Sequence, residues 1–326
     1  MSTDEQGFHL GDALGEVMGA AAYPAVGHLI HRRRYRAADL DVDLRGKVCV
    51  VTGASSGLGL AVARGLSRLG GTVVMVSRDP ARAEAALAAV GGRAETCLAD
   101  LADVAAVHDL AARIAARHDR VDVLVNNAGL STMDRRSAPG GLELTFATNV
   151  LGGFVLTHLL LPQFRAAAAK RGEARVVHMT SAALYGQRLD TEALVSPGSR
   201  RYRGALQYAL TKRAQVELNA IWSERLAGTG ITSACVHPGL ADTPGVAQGF
   251  PLYHRLARPA LRDADQGADT AIWLSASPAC AGRSGDLWFD RAPRPLHVVP
   301  WTRSPRAEAE RLWAACAALG RVGGAA

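Results

Sequence analysis

Cysteine is scarce in this sequence, and its distribution excludes two classes of site. The 326 residues contain five cysteines, which are scattered, odd in number and without a Cys-x-x-Cys pair. A disulfide framework or a zinc site would need paired cysteines at set spacings. The sequence therefore predicts free thiols in a reducing compartment, and no metal site. Cys49 and Cys235 lie within apolar, strand-like runs, which favours their interpretation as small core residues.

Long apolar runs are also missing. No segment reaches the roughly 18 uninterrupted apolar residues of a membrane-spanning helix, and residues 1–20 lack the charged-then-apolar order of a secretory signal. We therefore expect a cytoplasmic protein. The weakly apolar segment Gly19–Ile30, followed by the basic cluster His31–Arg36, leaves two interpretations open. One is an arm that packs on the domain's own surface, and the other is an amphipathic arm in weak contact with a membrane surface.

Negative charge is in short supply. The formal net charge is +7, and arginine carries almost all of the positive charge. Such a balance suits nucleic acid, anionic membranes or acidic substrates, but it also serves solubility alone. Because no groove-reading motif accompanies the charge, no nucleic-acid partner is predicted.

Short apolar, β-branched runs alternate with helical segments from residue 47 onward. The predicted strands are Lys47–Thr52, Thr72–Ser77, Ala94–Leu98, Val121–Val125, Arg175–Met179 and Ile231–Val236. The predicted helices are Gly57–Leu69, Ala81–Val90, Val104–His118, Leu142–Lys170 with a break near Gly152–Gly153 and Pro162, and Leu206–Leu226. Strands that are apolar on both faces and separated by helices predict a doubly wound α/β fold with a parallel sheet, the Rossmann fold.

The alternation occupies the middle of the chain. We predict a single catalytic domain over residues 44–292, an N-terminal arm over residues 1–43 and a C-terminal extension over residues 293–326. The extension is predicted to end in an alanine-rich helix, Ser304–Leu319.

The first predicted strand leads directly into a glycine-rich turn, Thr52-Gly53-Ala54-Ser55-Ser56-Gly57-Leu58-Gly59. Glycines let the backbone turn tightly and approach a pyrophosphate, and the free N–H groups of the following helix bind its phosphates. The strand–turn–helix context favours dinucleotide binding over a chance glycine pattern. The predicted cofactor contacts of this turn are Gly53, Ser55, Ser56, Gly57, Leu58 and Gly59.

Tyr208 and Lys212 lie four residues apart, which places both side chains on one face of a helix. A phenol has a reference pKa of about 10, and a neighbouring cation lowers that pKa. Tyr208 is therefore predicted to exchange a proton with an alcohol or carbonyl oxygen. Alone the pair is weak evidence, because this spacing arises often by chance on exposed helices.

Six segments in order resemble the short-chain dehydrogenase/reductase family over residues 45–290. They are the glycine turn, Asn126–Gly129, Thr148–Val150, Met179–Ala182, the Tyr208–Lys212 pair and Pro238–Thr243. The resemblance implies that the catalytic residues are Asn149, Ser181, Tyr208 and Lys212. It also implies that the cofactor is contacted by Asp100, Leu101, Asn127, Ala128, Gly129, Tyr208, Lys212, Pro238, Gly239 and Thr243. One branch of the family is further indicated by Asp39–Val42, His237–Pro244, Gln266–Thr270, Asp290–Arg291 and Pro300–Arg303.

The resemblance also implies the reaction, a hydride transfer between nicotinamide and a carbonyl or alcohol carbon. Tyr208 would exchange the proton, and Ser181 would hydrogen-bond the same substrate oxygen. Lys212 would lower the pKa of Tyr208 and bind the nicotinamide ribose. Asn149 would hold a water that links Lys212 to solvent.

Each of these residues has a simpler interpretation. Ser181 could be an ordinary turn serine, with Thr180 as the functional hydroxyl. Asn149 could cap a broken helix. Tyr185 and Tyr202 are further tyrosines near the site, although neither has a lysine four residues later.

The end of the second predicted strand indicates the nucleotide. An acidic side chain there would bind a ribose 2′-hydroxyl, but this chain has Ser77-Arg78. Because a guanidinium pairs with a 2′-phosphate, NADP(H) is predicted in preference to NAD(H). Arg78 could instead be a solvated surface arginine that Asp79 partly neutralises. Asp100 has the alternative role of a helix N-cap.

Two segments are predicted to shape the substrate pocket. The long stretch Ala182–Gly204 between Ser181 and Tyr208 would form one wall. Its arginines, Arg188, Arg200, Arg201 and Arg203, would attract an acidic substrate or face water. Pro244–Leu261 is the predicted lid, and its side chains Phe250, Leu252, Tyr253 and Leu256 suit an apolar ligand.

The partner is accordingly predicted to be a small carbonyl or alcohol, of lipophilic character. The alternative is a catalytically silent NADP(H)-binding sensor or scaffold protein. A homo-oligomer formed through residues 142–170 and 206–226 would fit the family resemblance.

Overall fold

A central sheet organises the computed structural model, which describes residues 23–196, 202–249 and 251–323. Its eight strands are β1 Val48–Thr52, β2 Thr72–Ser77, β3 Ala94–Leu98, β4 Val123–Asn126, β5 Ala174–Met179, β6 Ile231–Val236, β7 Leu287–Phe289 and β8 Ala292–Arg294. Their order in the sheet is β3-β2-β1-β4-β5-β6-β7-β8. All neighbouring strands are parallel except β7 and β8. The predicted doubly wound α/β fold is confirmed.

Helices cover both faces of this sheet. In chain order they are α1 Ala25–His31, α2 Gly57–Arg68, α3 Pro80–Val90, α4 Val104–Arg117, α5 Leu144–Phe146, α6 Gly152–Leu159, α7 Leu161–Arg171, α8 Thr191–Val195, α9 Gly204–Arg225, α10 Pro244–Gly249, α11 Pro251–Ala257, α12 Ala264–Ala276 and α13 Arg306–Gly320. Because β1 is buried along its whole length, its side chains supply both faces. Val50 packs in one core layer, and Cys49 and Val51 pack in the other.

The two core layers draw on different helices. One is built mainly from α4, α6, α7, α9 and α13, and includes Leu110, Phe154, Phe164, Trp222 and Trp313. The other is built mainly from α2 and α12, and includes Val62, Leu66, Ala271, Trp273 and Leu274. The switch in strand order falls between β1 and β4, where a doubly wound sheet leaves a crevice at its carboxyl edge.

The predicted helix Leu142–Lys170 is divided in the structure. After α5, residues Ala147–Leu151 form a π-helical turn that leads into α6 at Gly152, and the chain then bends by 55° between α6 and α7. Pro162 lies in the first turn of α7, where its missing N–H costs least. In the part of the chain that the structure describes, the bent pair Leu144–Leu159 and Leu161–Arg171 passes a test for a membrane span by length and composition only. Among the described residues no single helix is long and apolar enough to cross a membrane.

The described part of the predicted arm packs against the catalytic domain. The main-chain oxygen of Tyr23 accepts hydrogen bonds from Leu240 N at 3.0 Å and from Arg262 Nε at 2.8 Å. His31 Nδ1 lies 2.7 Å from a carboxylate oxygen of Asp290, which also forms a buried ion pair with Arg262. Residues 1–22 lie outside the described residues.

Residues after 292 contribute to the same sheet and core. β8 pairs with β7, and α13 buries Leu312, Trp313 and Cys316. The ring of Trp313 lies 4.8 Å from that of Phe154 and 4.6 Å from that of Trp222. The predicted helix Ser304–Leu319 thus corresponds to α13, which is anchored between α6 and α9.

Candidate active site

A cleft of about 710 Å³ lies at the carboxyl edge of the sheet, next to the switch in strand order. The predicted site residues that line it are Gly53, Ser55, Ser56, Gly57, Leu58, Gly59, Arg78, Asp100, Leu101, Asn127, Ala128, Gly129, Ser181, Tyr208, Lys212, Pro238, Gly239 and Thr243. Asn149 is not among the lining residues. It is buried, and its side chain hydrogen-bonds the main chain of Leu130.

The glycine turn forms the floor at one end of the cleft. Gly53 has a φ of 65° and Gly57 a φ of 53°, which favours glycine at both positions. A Cβ at Gly59 would collide with the carbonyl oxygen of Gly53 and with the side-chain amide of Asn127. Because α2 begins at Gly57 and Ser56 gives its first turn no side-chain cap, the N–H groups of that turn are available to a phosphate.

Asn127 holds this turn against the end of β4. Its Nδ2 donates to Thr52 O at 2.8 Å, and its main-chain N donates to Thr52 Oγ1 at 3.0 Å. The N–H of Ala128 donates to the same hydroxyl at 3.0 Å. These bonds fix the two loops that a dinucleotide would lie across, so the Asn127 side chain organises the site from within.

Two arginines line the far end of the cleft, beyond β2. Arg78, which the sequence predicted, is exposed, and Arg82 lies one turn further along in α3. Asp79 caps α3 by accepting a hydrogen bond from Arg82 N at 3.1 Å. Asp100 also lines the cleft, but the N-cap of α4 is Asp103. The alternative role of Asp100 as a helix cap is therefore wrong.

Ser181 and Tyr208 meet at the opposite end of the cleft. Ser181 lies two residues after the end of β5 and caps the short 3₁₀ helix Ala182–Gly186. Its side chain hydrogen-bonds Tyr208. Burial raises the pKa of the Tyr208 hydroxyl, and the bond from Ser181 only partly offsets that effect. The net direction is upward because desolvation of the phenolate dominates; that Lys212 lowers the pKa of Tyr208 stays a prediction.

Lys212 lies beside Tyr208, with Nζ 5.5 Å from the centre of the tyrosine ring. The ammonium donates to the main-chain oxygen of Met179 at 2.8 Å and to Gln215 Oε1 at 3.1 Å. Burial lowers the pKa of Lys212 to about 8. The lysine therefore carries a charge at neutral pH at an appreciable desolvation cost.

Gln215 joins Lys212 to Asn149, a link that the sequence did not predict. Gln215 Nε2 donates to the main-chain oxygen of Asn149 at 2.8 Å. The Asn149 side chain donates to Leu130 O at 2.9 Å and to Thr211 Oγ1 at 3.1 Å. Asn149 thus lies in the π-helical turn and organises the loop after β4. Its alternative role as a helix cap receives no support, because no side-chain cap hydrogen bond occurs at either end of that turn.

The competing hydroxyl groups have other partners. Thr180 Oγ1 donates to the main-chain oxygen of Lys212 at 3.0 Å, and the residue is buried. Tyr202 OH donates to Glu143 at 3.1 Å, and Tyr185 OH donates to Pro295 O at 3.1 Å. Neither tyrosine lines the part of the cleft that the structure describes. Thr180 lines the cleft, but its hydroxyl is bonded to Lys212 O, which leaves Ser181 and Tyr208 as the candidate hydroxyl pair.

The predicted pocket wall and lid are present in part. Ala182 and Ala183 line the cleft, as does Ala205 at the start of α9, whereas Arg188 and Arg203 are exposed and do not. Arg200, Arg201 and Phe250 lie outside the described residues, and so does the side chain of Tyr253.

The lid comprises α10 and α11. It is tied to the loop after β6, where His254 Nε2 lies 2.7 Å from Asp242 Oδ1. Pro244, Gly245 and Leu261 line the cleft. Leu252 and Leu256, predicted to face an apolar ligand, are 62% and 72% exposed.

Comparison with known proteins agrees with this geometry. The family model described as short chain dehydrogenase matches residues 47–251. The chain is 36% identical over 303 residues to Dehydrogenase/reductase SDR family member 12 of Bos taurus, covering 90% of this chain and 92% of the relative. It is 32% identical over 288 residues to Retinol dehydrogenase 12 of Bos taurus, covering 86% and 88%. The sequence indicated one branch of the family, and the similarity to Dehydrogenase/reductase SDR family member 12 confirms that branch.

Solved structures give the same result. The Pseudomonas aeruginosa RhlG/NADP active-site complex superimposes with a TM-score of 0.62 and 28% identity, covering 75% of this chain and 94% of that one. The 3-ketoacyl-(acyl-carrier-protein) reductase from Brucella melitensis, complexed with NADH, gives a TM-score of 0.60 and 27% identity, covering 75% and 96%. Both nucleotides thus occur among similar structures.

Proposed function

This chain belongs to the short-chain dehydrogenase/reductase family and is an oxidoreductase that acts on CH–OH donors, and on that premise we propose that it transfers a hydride between NADP(H) and a lipophilic carbonyl or alcohol. The observation that carries the proposal is the convergence of Ser181, Tyr208 and Lys212 in the same cleft as the glycine turn. A nucleotide site and a proton-exchanging hydroxyl thus lie in one continuous space.

The residues at the chemical end have distinct tasks. Bound nicotinamide supplies or accepts the hydride. Tyr208 donates a proton to the substrate oxygen during reduction, while Ser181 hydrogen-bonds that oxygen and holds it near the tyrosine. The charge of Lys212 then stabilises the phenolate that remains. Because burial raises the pKa of Tyr208, the tyrosine rests in its protonated form, ready to donate.

Two arginines support the preference for NADP(H). Arg78 and Arg82 both line the far end of the cleft, where an acidic residue would favour NAD(H). Two guanidinium groups suit a 2′-phosphate better than a ribose hydroxyl. Asp79, which could have neutralised Arg78, uses one carboxylate oxygen to cap α3.

The lining of the chemical end supports a neutral, apolar substrate. The charged residues that line the described part of the cleft, apart from Lys212, are Arg78, Asp79, Arg82 and Asp100 at the nucleotide end. Apolar side chains contribute much of the remaining lining, at Leu130, Ala182, Ala183, Ala205, Leu240 and Leu261, together with the hydroxyl groups of Ser131, Thr180, Ser181 and Tyr208. The similarity to Retinol dehydrogenase 12 is consistent with a lipophilic alcohol or aldehyde.

Three expectations stay predictions: contact with a membrane surface, cytoplasmic location and a homo-oligomer. Val26, Leu29 and Ile30 are exposed on α1 next to the exposed run Arg32–Arg34, which supports weak contact with an anionic membrane surface. Cytoplasmic location is the second. A homo-oligomer is the third, although α13 already covers part of α9.

Replacing Tyr208 tests the proposal. Tyr208→Phe should lower kcat by at least about a hundredfold, because it removes the proton donor, while NADPH affinity changes little. Tyr185→Phe is the matched control, since that hydroxyl binds Pro295 O outside the cleft, and it should keep the rate. NADPH oxidation with a panel of aldehydes and ketones gives kcat, and calorimetry gives the affinity. A Tyr208→Phe enzyme with the wild-type rate would refute the assignment.

If the wild-type protein binds NADPH but turns over no member of the panel, the alternative of a silent NADP(H)-binding protein takes precedence.

A further inference from the structure

We propose that Gln215 is a positioning residue of this active site, whose side-chain amide bridges the ammonium of Lys212 to the main-chain oxygen of Asn149 and so fixes the lysine beside Tyr208. The inference rests on the proposed function above, since the lysine matters to catalysis only if Tyr208 exchanges the proton. The bridge itself is a feature of the folded chain.

The two ends of the bridge require different hydrogen-bonding groups. Gln215 Oε1 lies 3.1 Å from Lys212 Nζ, and Gln215 Nε2 lies 2.8 Å from the Asn149 oxygen. An ammonium can only donate, and a carbonyl oxygen can only accept. The residue between them must therefore accept at one end and donate at the other. A carboxamide does both, whereas a carboxylate or a thioether of similar length cannot.

Burial makes the bridge consequential. Lys212 is 3% exposed and Gln215 is 6% exposed, so water cannot readily replace a lost partner. A buried polar group without a partner is destabilising, and a charged group is more so. The second acceptor of the ammonium, Met179 O, belongs to the main chain. Gln215 is thus the partner of Nζ that a substitution can alter.

The π-helical turn supplies the other end of the bridge. In Ala147–Leu151 the hydrogen bonds reach five residues back, as from Gly152 N to Ala147 O. Such turns widen a helix locally and are frequent at functional sites. Here the Asn149 main-chain oxygen faces α9 and accepts from Gln215. A side chain of α9 thus joins Lys212 to Asn149 directly.

The groups around Lys212 leave its charge dependent on its two acceptors. His178 faces it from β5, and burial together with the lysine charge lowers the pKa of that imidazole to about 4. Cys235 faces it from β6, and burial raises the pKa of the thiol. Tyr208 on α9 also has a raised pKa. Near neutral pH all three are uncharged, so the dipole of Gln215 is an important stabilising influence on the ammonium.

The test reads the lysine directly. The chain contains three lysines, Lys47, Lys170 and Lys212, so a protein labelled with ¹³C-lysine gives three Cε signals, and Lys212→Met identifies the one of interest. The signals are titrated without cofactor in wild type, Gln215→Met and Gln215→Glu. Gln215→Met should lower the pKa of Lys212 by about one unit or more, and Gln215→Glu should raise it by about as much.

A second buried glutamine on α9 provides the control. Gln207 bonds to Glu143 and to Leu194 O, away from the lysine. Gln207→Met should destabilise the protein yet leave the Lys212 titration unchanged. The pH profile of kcat is then measured with NADPH, and its alkaline limb should move in the same direction as the lysine pKa in each Gln215 variant.

The outcomes separate the two ideas. An unchanged Lys212 titration in both Gln215 variants would overturn the bridge, and shifted titrations with an unmoved pH profile would overturn its role in the reaction. If Tyr208→Phe keeps the wild-type rate, the proposed function fails. The titration without cofactor still decides whether Gln215 controls the lysine.

Discussion

The charged form of Lys212 is destabilised by burial. Its pKa is lowered from 10.5 to about 8 by burial, so the folded state binds its proton less tightly than the unfolded chain does. The penalty is fully present below pH 8 and is relieved as the pH rises toward 10.5. At about 1.4 kcal/mol per pKa unit, this linkage amounts to about 3 kcal/mol.

Comparison with Lys212→Met measures that linkage. The free energy of unfolding of wild type minus that of the variant should increase by about 3 kcal/mol between pH 7 and pH 10.5, whatever its value at pH 7. Urea unfolding at several pH values gives the difference. Lys170→Met serves as the control, because Lys170 is exposed, and its difference should stay flat. A flat difference for Lys212→Met would show that the pKa of Lys212 is not lowered in the folded protein.

The nucleotide preference also belongs to single residues. Arg78→Asp should shift the ratio of kcat/KM for NADPH over NADH toward NADH by about tenfold or more, because a carboxylate repels the 2′-phosphate. Arg82→Gln should produce a smaller shift in the same direction. Arg93→Gln, an exposed arginine outside the cleft, should leave the ratio unchanged. An unchanged ratio in Arg78→Asp would refute the proposed 2′-phosphate contact.

How far these residues were predictable depends on their spacing in the chain. Tyr208 and Lys212 fall within one helical turn, and Ser181 lies two residues after the end of a strand, so short motifs reveal them. The partner of Gln215 is 66 residues away, and only the packing of α9 against the π-helical turn brings them together. Arg82 could have been predicted as a cofactor contact, because it lies four residues after Arg78, in a predicted helix.

At the scale of elements, the described part of the N-terminal arm supports the loop after β6. Arg262 donates to Tyr23 O and forms an ion pair with Asp290, and both charged side chains are almost fully buried. The main-chain oxygen of Tyr23 also accepts from Leu240 N, within the segment Pro238–Thr243 that is predicted to contact the cofactor. The main-chain oxygen of Tyr23 therefore joins the arm to the loop after β6 and to the buried Arg262–Asp290 ion pair.

Breaking that pair should cost more than removing it. Arg262→Met leaves the Asp290 charge buried and should destabilise the protein by about 3–5 kcal/mol, whereas Arg262→Met with Asp290→Leu should recover part of the loss. Arg255→Met, at an exposed position, should change stability by less than about 0.5 kcal/mol. Urea unfolding measures each value. A double variant less stable than Arg262→Met would contradict this account.

The elements were unevenly predictable. The six strands β1–β6 are apolar runs bounded by turns, and all were predicted within a few residues. β7 and β8 span three residues each, too few for a period-two pattern, and were missed together with α12. The π-helical turn was missed because composition does not reveal a change in hydrogen-bond register.

At the scale of the whole molecule, α13 closes one of the two core layers. It contacts α6 and α9 through Trp313, and Arg306 forms an ion pair with Glu224. Large buried side chains contribute about 1.5–3 kcal/mol each, and a domain has only about 5–15 kcal/mol of net stability. The helix therefore belongs to the folding unit, whatever the boundary predicted at residue 292.

Truncation tests that conclusion. A chain that ends at residue 305 should lose cooperative unfolding, because Phe154 and Trp222 would lose the cover of Trp313. A chain that ends at residue 321 should keep the full-length melting temperature. Differential scanning calorimetry measures both. If the chain ending at residue 305 melted cooperatively within a few degrees of full length, α13 would be an appendage.

The burial of all five cysteines provides an intrinsic reporter of motion. They lie on β1, β3 and β6, after α12, and within α13, at Cys49, Cys97, Cys235, Cys280 and Cys316. Burial raises the pKa of each thiol, and only a thiolate reacts readily with disulfide reagents. Modification must therefore await local opening of the surrounding element. The five labelling rates, followed by mass spectrometry, would show which layer opens first, without any engineered probe.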